Sequence, residues 1–155
     1  IEVQALVTSS TMPTPRRAVI GWDLNRLSMV MAILQARYGM FLGDKEVYLN
    51  ITGGLKIIEP ALDLAAAAAL ISSVTNTPLP EGCVIFGELG LSGEVRMVAQ
   101  NEVRLREAER LGFTNALVPK GMKQNNNSLL LNEINHIREL SGIFRKEKIL
   151  ENTSA

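Results

Sequence analysis

The chain opens on Ile1-Glu2-Val3-Gln4-Ala5-Leu6-Val7, an apolar and polar alternation that predicts a strand. A polar loop with two prolines, Thr8 to Pro15, leads through Arg16-Arg17 to a short apolar run, Ala18 to Trp22. Two hairpin-like strands joined by a loop fit this segment. The period then changes: Leu24, Leu27, Met31, Leu34 and Tyr38 recur at helical spacing, with Asp23 placed to cap the helix and Gly39 to stop it. Val47 to Thr52 alternates as a strand that Gly53-Gly54 breaks. Pro60 is tolerated in a first helical turn, and a helix follows from Ala61 to about Val74. Five consecutive alanines, Ala65 to Ala69, give that helix so little side chain that it must lie close against neighbouring backbone.

Val84-Ile85-Phe86 predicts a buried strand, and Gly87, Gly90 and Gly93 punctuate a turn before Glu94 to Val98. Gln100 to Leu111 reads as an amphipathic helix with Val103, Ala108 and Leu111 inward, closed by Gly112. Ala116-Leu117-Val118 makes a last strand, ended by Pro119. Gly121 to Ser128 is a loop, Leu131 to Ser141 and Ile143 to Ile149 predict terminal helices, and 151–155 a disordered tail. Alternating strands and helices give an α/β (α+β) fold, its mixed sheet packed with helices, in a single domain over residues 1–150. The start on Ile1, directly in a strand, suggests a piece of a longer protein.

Sixteen Lys and Arg balance sixteen Asp and Glu, so overall positive charge cannot be what holds nucleic acid or an anionic membrane. A local basic patch remains open. One cysteine, Cys83, and one histidine, His136, exclude an internal disulfide framework and a Cys/His metal cage, and fit a reducing, cytoplasmic setting. No basic segment followed by an apolar one marks a signal peptide, and the longest apolar stretch, Leu64 to Ile71, is far below the ~20 residues of a membrane span.

The Gly87-to-Gly93 run lacks the Lys-Ser/Thr ending of a phosphate loop and leads into a strand rather than a helix, so it reads as a turn. His136 reads as a helix surface residue and Cys83 as a small hydrophobe. Glu59 and Asp63 flank the start of the alanine helix, where capping and the helix dipole account for both, and either can orient a basic neighbour. Arg26 opposes the dipole of its helix, which calls for a specific partner. Arg16, Arg17, Arg26 and Lys56 make a compact basic patch if they converge, and solvated surface charge if they do not. Arg104, Arg106 and Arg110, interleaved with Glu102, Glu107 and Glu109, form a solvated helix face.

The ordered motifs Glu2-Val3-Gln4-Ala5-Leu6-Val7, Pro15-Arg16-Arg17, Asn25-Arg26-Leu27, Gly53-Gly54-Leu55, Glu59-Pro60-Ala61, Asp63-Leu64-Ala65 and Phe86-Gly87-Glu88 resemble the C-terminal domain of the RadA (Sms) family of bacterial DNA-repair proteins, from about Glu2 to Lys120. The resemblance implies the ribosomal protein S5 domain 2-like fold of Lon proteolytic domains. It places Ala61 at the position of the Lon nucleophilic serine and Glu102 near that of the lysine base. Neither residue can fill its role, which implies a catalytically inactive domain.

The resemblance further implies a hexameric homo-oligomer and DNA binding during recombination and branch migration, with Arg16, Arg17, Arg26 and Lys56 as the candidate phosphate contacts and a RecA-type recombinase as partner. This chain needs no cofactor. ATP, Mg and Zn belong to the zinc-finger and RecA-like ATPase domains that the family carries elsewhere. Two rival readings are a Lon-type serine peptidase using Ser92 with Lys56, and an oligomerisation module whose subunit contacts are Arg26, Asp63 and Glu59.

Overall fold

The computed structural model describes residues 1–53, 58–122 and 128–144. In β1 (Glu2–Ser9), Val3, Ala5 and Val7 turn inward and Glu2, Gln4 and Leu6 outward. After β2 (Arg17–Ile20) and the first helix, β3 (Lys45–Thr52) buries Val47, Leu49 and Ile51. It pairs antiparallel with β1, Ala5 opposite Leu49, and parallel with β2, Val19 opposite the same Leu49. The hairpin-like reading of the first two strands is thereby corrected, since β3 lies between them. A seven-residue loop carrying Pro13 and Pro15 makes no tight turn, and the Arg17 guanidinium instead donates to the carbonyls of Leu42 and Lys45 beyond the helix.

Helix α1 (Leu24–Ile33) begins where predicted, the Asp23 carboxylate accepting the Arg26 N–H at 3.0 Å. It widens into a π turn, Leu34–Tyr38, and stops at Gly39, whose φ of +84° is left-handed. Leu27, Val30, Ile33 and Leu34 form its buried stripe. A 3-10 turn, Pro60–Leu62, feeds α2 (Asp63–Thr75). Ala66, Ala67 and Ala68 are wholly buried, and the Ser73 hydroxyl accepts the Val7 N–H at 2.9 Å, so the alanine helix does lie close against the β1 backbone.

The second half starts with β4 (Cys83–Ile85) and the hairpin of β5 (Glu88–Leu89) with β6 (Val95–Arg96), whose glycines make a turn as expected. In α3 (Asn101–Arg110) the inward residues are Leu105 and Ala108. Val103 and Leu111 stay 55% and 60% exposed against expectation, because two residues turn a helix by about 200° and burying Leu105 sends Val103 outward. Strands β7 (Asn115–Pro119) and β8 (Leu130–Ile134) complete a parallel sheet with β4, β7 in the centre.

β8 corrects the expected helix from Leu131. The run Leu129-Leu130-Leu131 suits either state locally, and pairing with the free edge of β7 decides it. His136 is accordingly not on a helix surface; it caps the 3-10 turn Ile137–Glu139, after which residues 140–144 are helical. The remainder of the predicted terminal helix and the 151–155 tail lie outside the described residues.

Gly21 has φ +81°, and a Cβ there would run into the Ile51 carbonyl, whereas Gly112 has φ +88° with open space around it. Gly112→Ala is expected to lower stability by about 1–2 kcal/mol from conformation alone. Gly21→Ala adds an overpacking cost of at least about 1 kcal/mol. Urea midpoints of the two variants check this, and equal losses would contradict it.

Candidate functional site at the start of the alanine helix

The turn into α2 is stitched to the β4–β5 link by two backbone bonds, Gly87 N–H to the Ala61 carbonyl at 2.9 Å and Leu64 N–H to the Gly87 carbonyl at 3.1 Å. At this junction Asp63 is completely buried. Its carboxylate accepts the Leu89 N–H at 3.0 Å and both Nε (2.8 Å) and Nη2 of Arg26. This is a side-on, two-pronged ion pair, which the guanidinium fork matches and a lysine would not. The hydrogen bond that Arg26 donates to Asp63 raises the pKa of Arg26 further, and the Glu88 carboxylate 3.9 Å away adds to it. Arg26 thus has the partner that its position in the helix called for, and that partner is within the chain.

Ala61 opens onto a cavity of about 580 Å³ floored by Ala61, Ala65 and Ala69, one turn apart along one helix face, and walled by Val84, Phe86 and Phe113. Its polar edge is an ion pair between Glu59 and Arg104, whose guanidinium also stands 5.9 Å over the Phe86 ring. Among the described residues, neither serine nor lysine lines it. Cys83 does, half-buried, and burial pushes its thiol above the ordinary 9.0. Glu102 is exposed in the first turn of α3 and does not face the cavity; Arg104, Glu107, Ala108 and Leu111 do.

Of the four candidate cations, the three that are described, Arg16, Arg17 and Arg26, are engaged separately. Arg26 is committed to Asp63, and the Arg17 guanidinium donates to main-chain carbonyls. Arg16 is exposed beside Tyr48, on the other side of the first sheet from α1. Lys56 lies outside the described residues. Glu59 and Asp63 each hold a basic neighbour, as one reading of the sequence allowed. On α3, Arg110 makes the expected i,i+3 pair with Glu107, but Arg104 leaves the helix face for Glu59. Glu109 accepts from the amide and hydroxyl of Ser128 instead, at 2.9 and 2.7 Å. The sequence showed charge alternation on α3 but not that Arg104 points inward, which only the buried line of Leu105 and Ala108 fixes.

The geometry defines an α+β domain whose helix start carries a buried ion pair and an apolar cavity. Residues 26–122, more than half of the chain, match the family described as subunit ChlI of Mg-chelatase, and the chain belongs to that family. It is also similar to proteins named DNA repair protein RadA. The identity is 53% to that of Rickettsia bellii over 90% of this chain and 31% of the relative. It is 55% to that of Rickettsia prowazekii, over 77% and 27%, and 54% to that of Brucella abortus, over 78% and 26%. These matches bear out the RadA resemblance carried by the motif order. The chain spans about a third of the length of the curated relatives it matches.

Thiolate is the form of Cys83 that reacts, and burial disfavours it, so alkylation by iodoacetamide should stay slow at pH 8 and climb only as pH passes the ordinary thiol value of 9.0. A pH–rate midpoint at or below 9.0 would contradict the buried placement. Arg104→Ala, which removes a partly exposed ion pair and the contact with Phe86, should cost about 1 kcal/mol in urea unfolding.

Proposed function

We propose that this chain is a catalytically silent, Lon-like scaffold domain of a RadA-type DNA-repair protein, working in the cytoplasm. In this reading it supports a hexameric ring and contacts DNA during recombination and branch migration. ATP, Mg and Zn, and contact with a RecA-type recombinase, are the business of the two thirds of such a protein that this chain does not span.

The observation that carries the reading is Ala61. It lies on the cavity floor with a methyl group where a hydrolase needs a nucleophilic oxygen, and the described cation at the cavity edge, Arg104, is paired with Glu59 and cannot act as a base at neutral pH. Ser92, the nucleophile of the peptidase alternative, lies in the β5–β6 turn and is not among the cavity residues. The oligomerisation alternative drew its subunit contacts from Arg26, Asp63 and Glu59, all three of which have partners inside the chain. No described helix is long and apolar enough to cross a membrane.

Phosphate contacts fall to exposed arginines such as Arg16, with Arg17 and Arg26 bonded internally. Six copies around one strand would multiply weak contacts through effective concentration, which reconciles zero net charge with DNA binding. A fluorophosphonate probe is expected to label no serine. Light scattering in low salt is expected to give a hexamer that retains single-stranded DNA. A labelled serine would revive the peptidase reading, and a monomer indifferent to DNA would overturn the scaffold.

A further inference from the structure

The end of the π turn, the β5–β6 turn and the cap of the last 3-10 turn meet at one place. Arg37 donates Nε to the Leu91 carbonyl at 3.2 Å, and His136 Nε2 bonds the next carbonyl, Ser92, at 2.8 Å. Nδ1 of the same imidazole accepts the Arg138 N–H at 3.1 Å and Arg138 Nε at 3.3 Å, which puts the ring proton on Nε2. Gly93 closes the cluster. A Cβ there would stand 2.6 Å from the imidazole and 2.9 Å from Arg37 Cβ, so both side chains pack on bare backbone. The Gly93 carbonyl in turn accepts the Ile137 N–H at 2.8 Å.

Both arginines are exposed, and each anchors itself through Nε. Among the described residues neither terminal fork, Nη1 with Nη2, meets an acceptor. The neighbouring carboxylates are already engaged: Glu139 accepts the N–H groups of Asn135 and His136, and Glu94 pairs with Arg96. Among the described residues, two anchored guanidinium forks therefore stand at one turn with no carboxylate paired to either. Between them the turn presents Leu91, 68% exposed.

We infer that Arg37, anchored on the Leu91 carbonyl, and Arg138, anchored on His136, form at the Leu91–Gly93 turn a contact site for the phosphodiester backbone of nucleic acid. The inference rests on the DNA-contact reading above and gives that contact a surface. Planar forks with free terminal donors suit phosphate oxygens bidentately, and anchoring through Nε lowers the entropy lost when phosphate binds. The exposed Leu91 gives sugar or base an apolar rest between the two phosphates.

The test is fluorescence anisotropy of a fluorescein-labelled oligothymidylate with the full chain across a sodium chloride series. Arg37→Gln with Arg138→Gln is expected to reduce the log–log salt slope by about 1.4, and each single change by about 0.7, as loss of single-strand phosphate contacts requires. Arg37→Lys with Arg138→Lys keeps the charge and the slope but loses affinity several-fold, and it guards against a fold defect, which circular dichroism of each variant reads separately.

Wild-type binding with an unchanged slope in the double Gln variant would overturn this surface while leaving DNA contact elsewhere standing. No wild-type binding would overturn both the surface and the DNA-contact reading. Arginine-dependent binding of polyglutamate in preference to the oligonucleotide would overturn the nucleic-acid assignment in favour of an acidic protein partner.

Discussion

The fold turns on one buried carboxylate. Asp63 sits at the first residue of α2 without solvent contact, a costly place for a charge unless every lone pair is answered. It is answered three times, by two nitrogens of Arg26 from α1 and by the Leu89 amide from β5. The dipole of α2 favours an anion at that end as well. One side chain thus sets the distance between two helices and docks the hairpin that leads into the second sheet. The backbone bonds between Ala61, Leu64 and Gly87 hold the same corner.

This arrangement bears on the proposed function, which puts the position of a Lon-type nucleophile at this corner. In the scaffold reading proposed above, the residues of this corner serve structure. Ala61 contributes a main-chain carbonyl to the stitch and a methyl group to the cavity floor, and Glu59 with Arg104 closes the edge. Charges that looked free in one dimension are used to hold elements together. Among the described residues, Arg16 on the outer sheet face and the Arg37–Arg138 pair at the turn are exposed and lie apart on the surface. That pattern suits weak contacts repeated around an assembly better than one strong monomeric site.

Much of this was legible beforehand where local chemistry decides. The Asp23 cap, the Gly39 stop, the close-packed alanine helix and the glycine turn follow from backbone geometry and side-chain size, and all are found. The need of Arg26 for a partner was visible from its place in the helix; the identity of Asp63, 37 residues on, was not. What failed was decided by distant pairing. The insertion of β3 between β1 and β2, and the strand at Leu130–Ile134, depend on edges that no local pattern records. The Arg37–His136–Arg138 cluster joins positions about a hundred residues apart through a turn, so spacing in sequence carried no trace of it.

The most direct test is a double-mutant cycle on Arg26 and Asp63, with Arg26→Ala, Asp63→Ala and the pair measured by urea unfolding. If the ion pair is the joint, each single change leaves the other group stranded and costs about 3 kcal/mol or more, while the double change costs little beyond one of them, a coupling of about 2–3 kcal/mol. Additive losses, with coupling near zero, would mean that the corner is held by packing alone and that the account built on Asp63 is wrong.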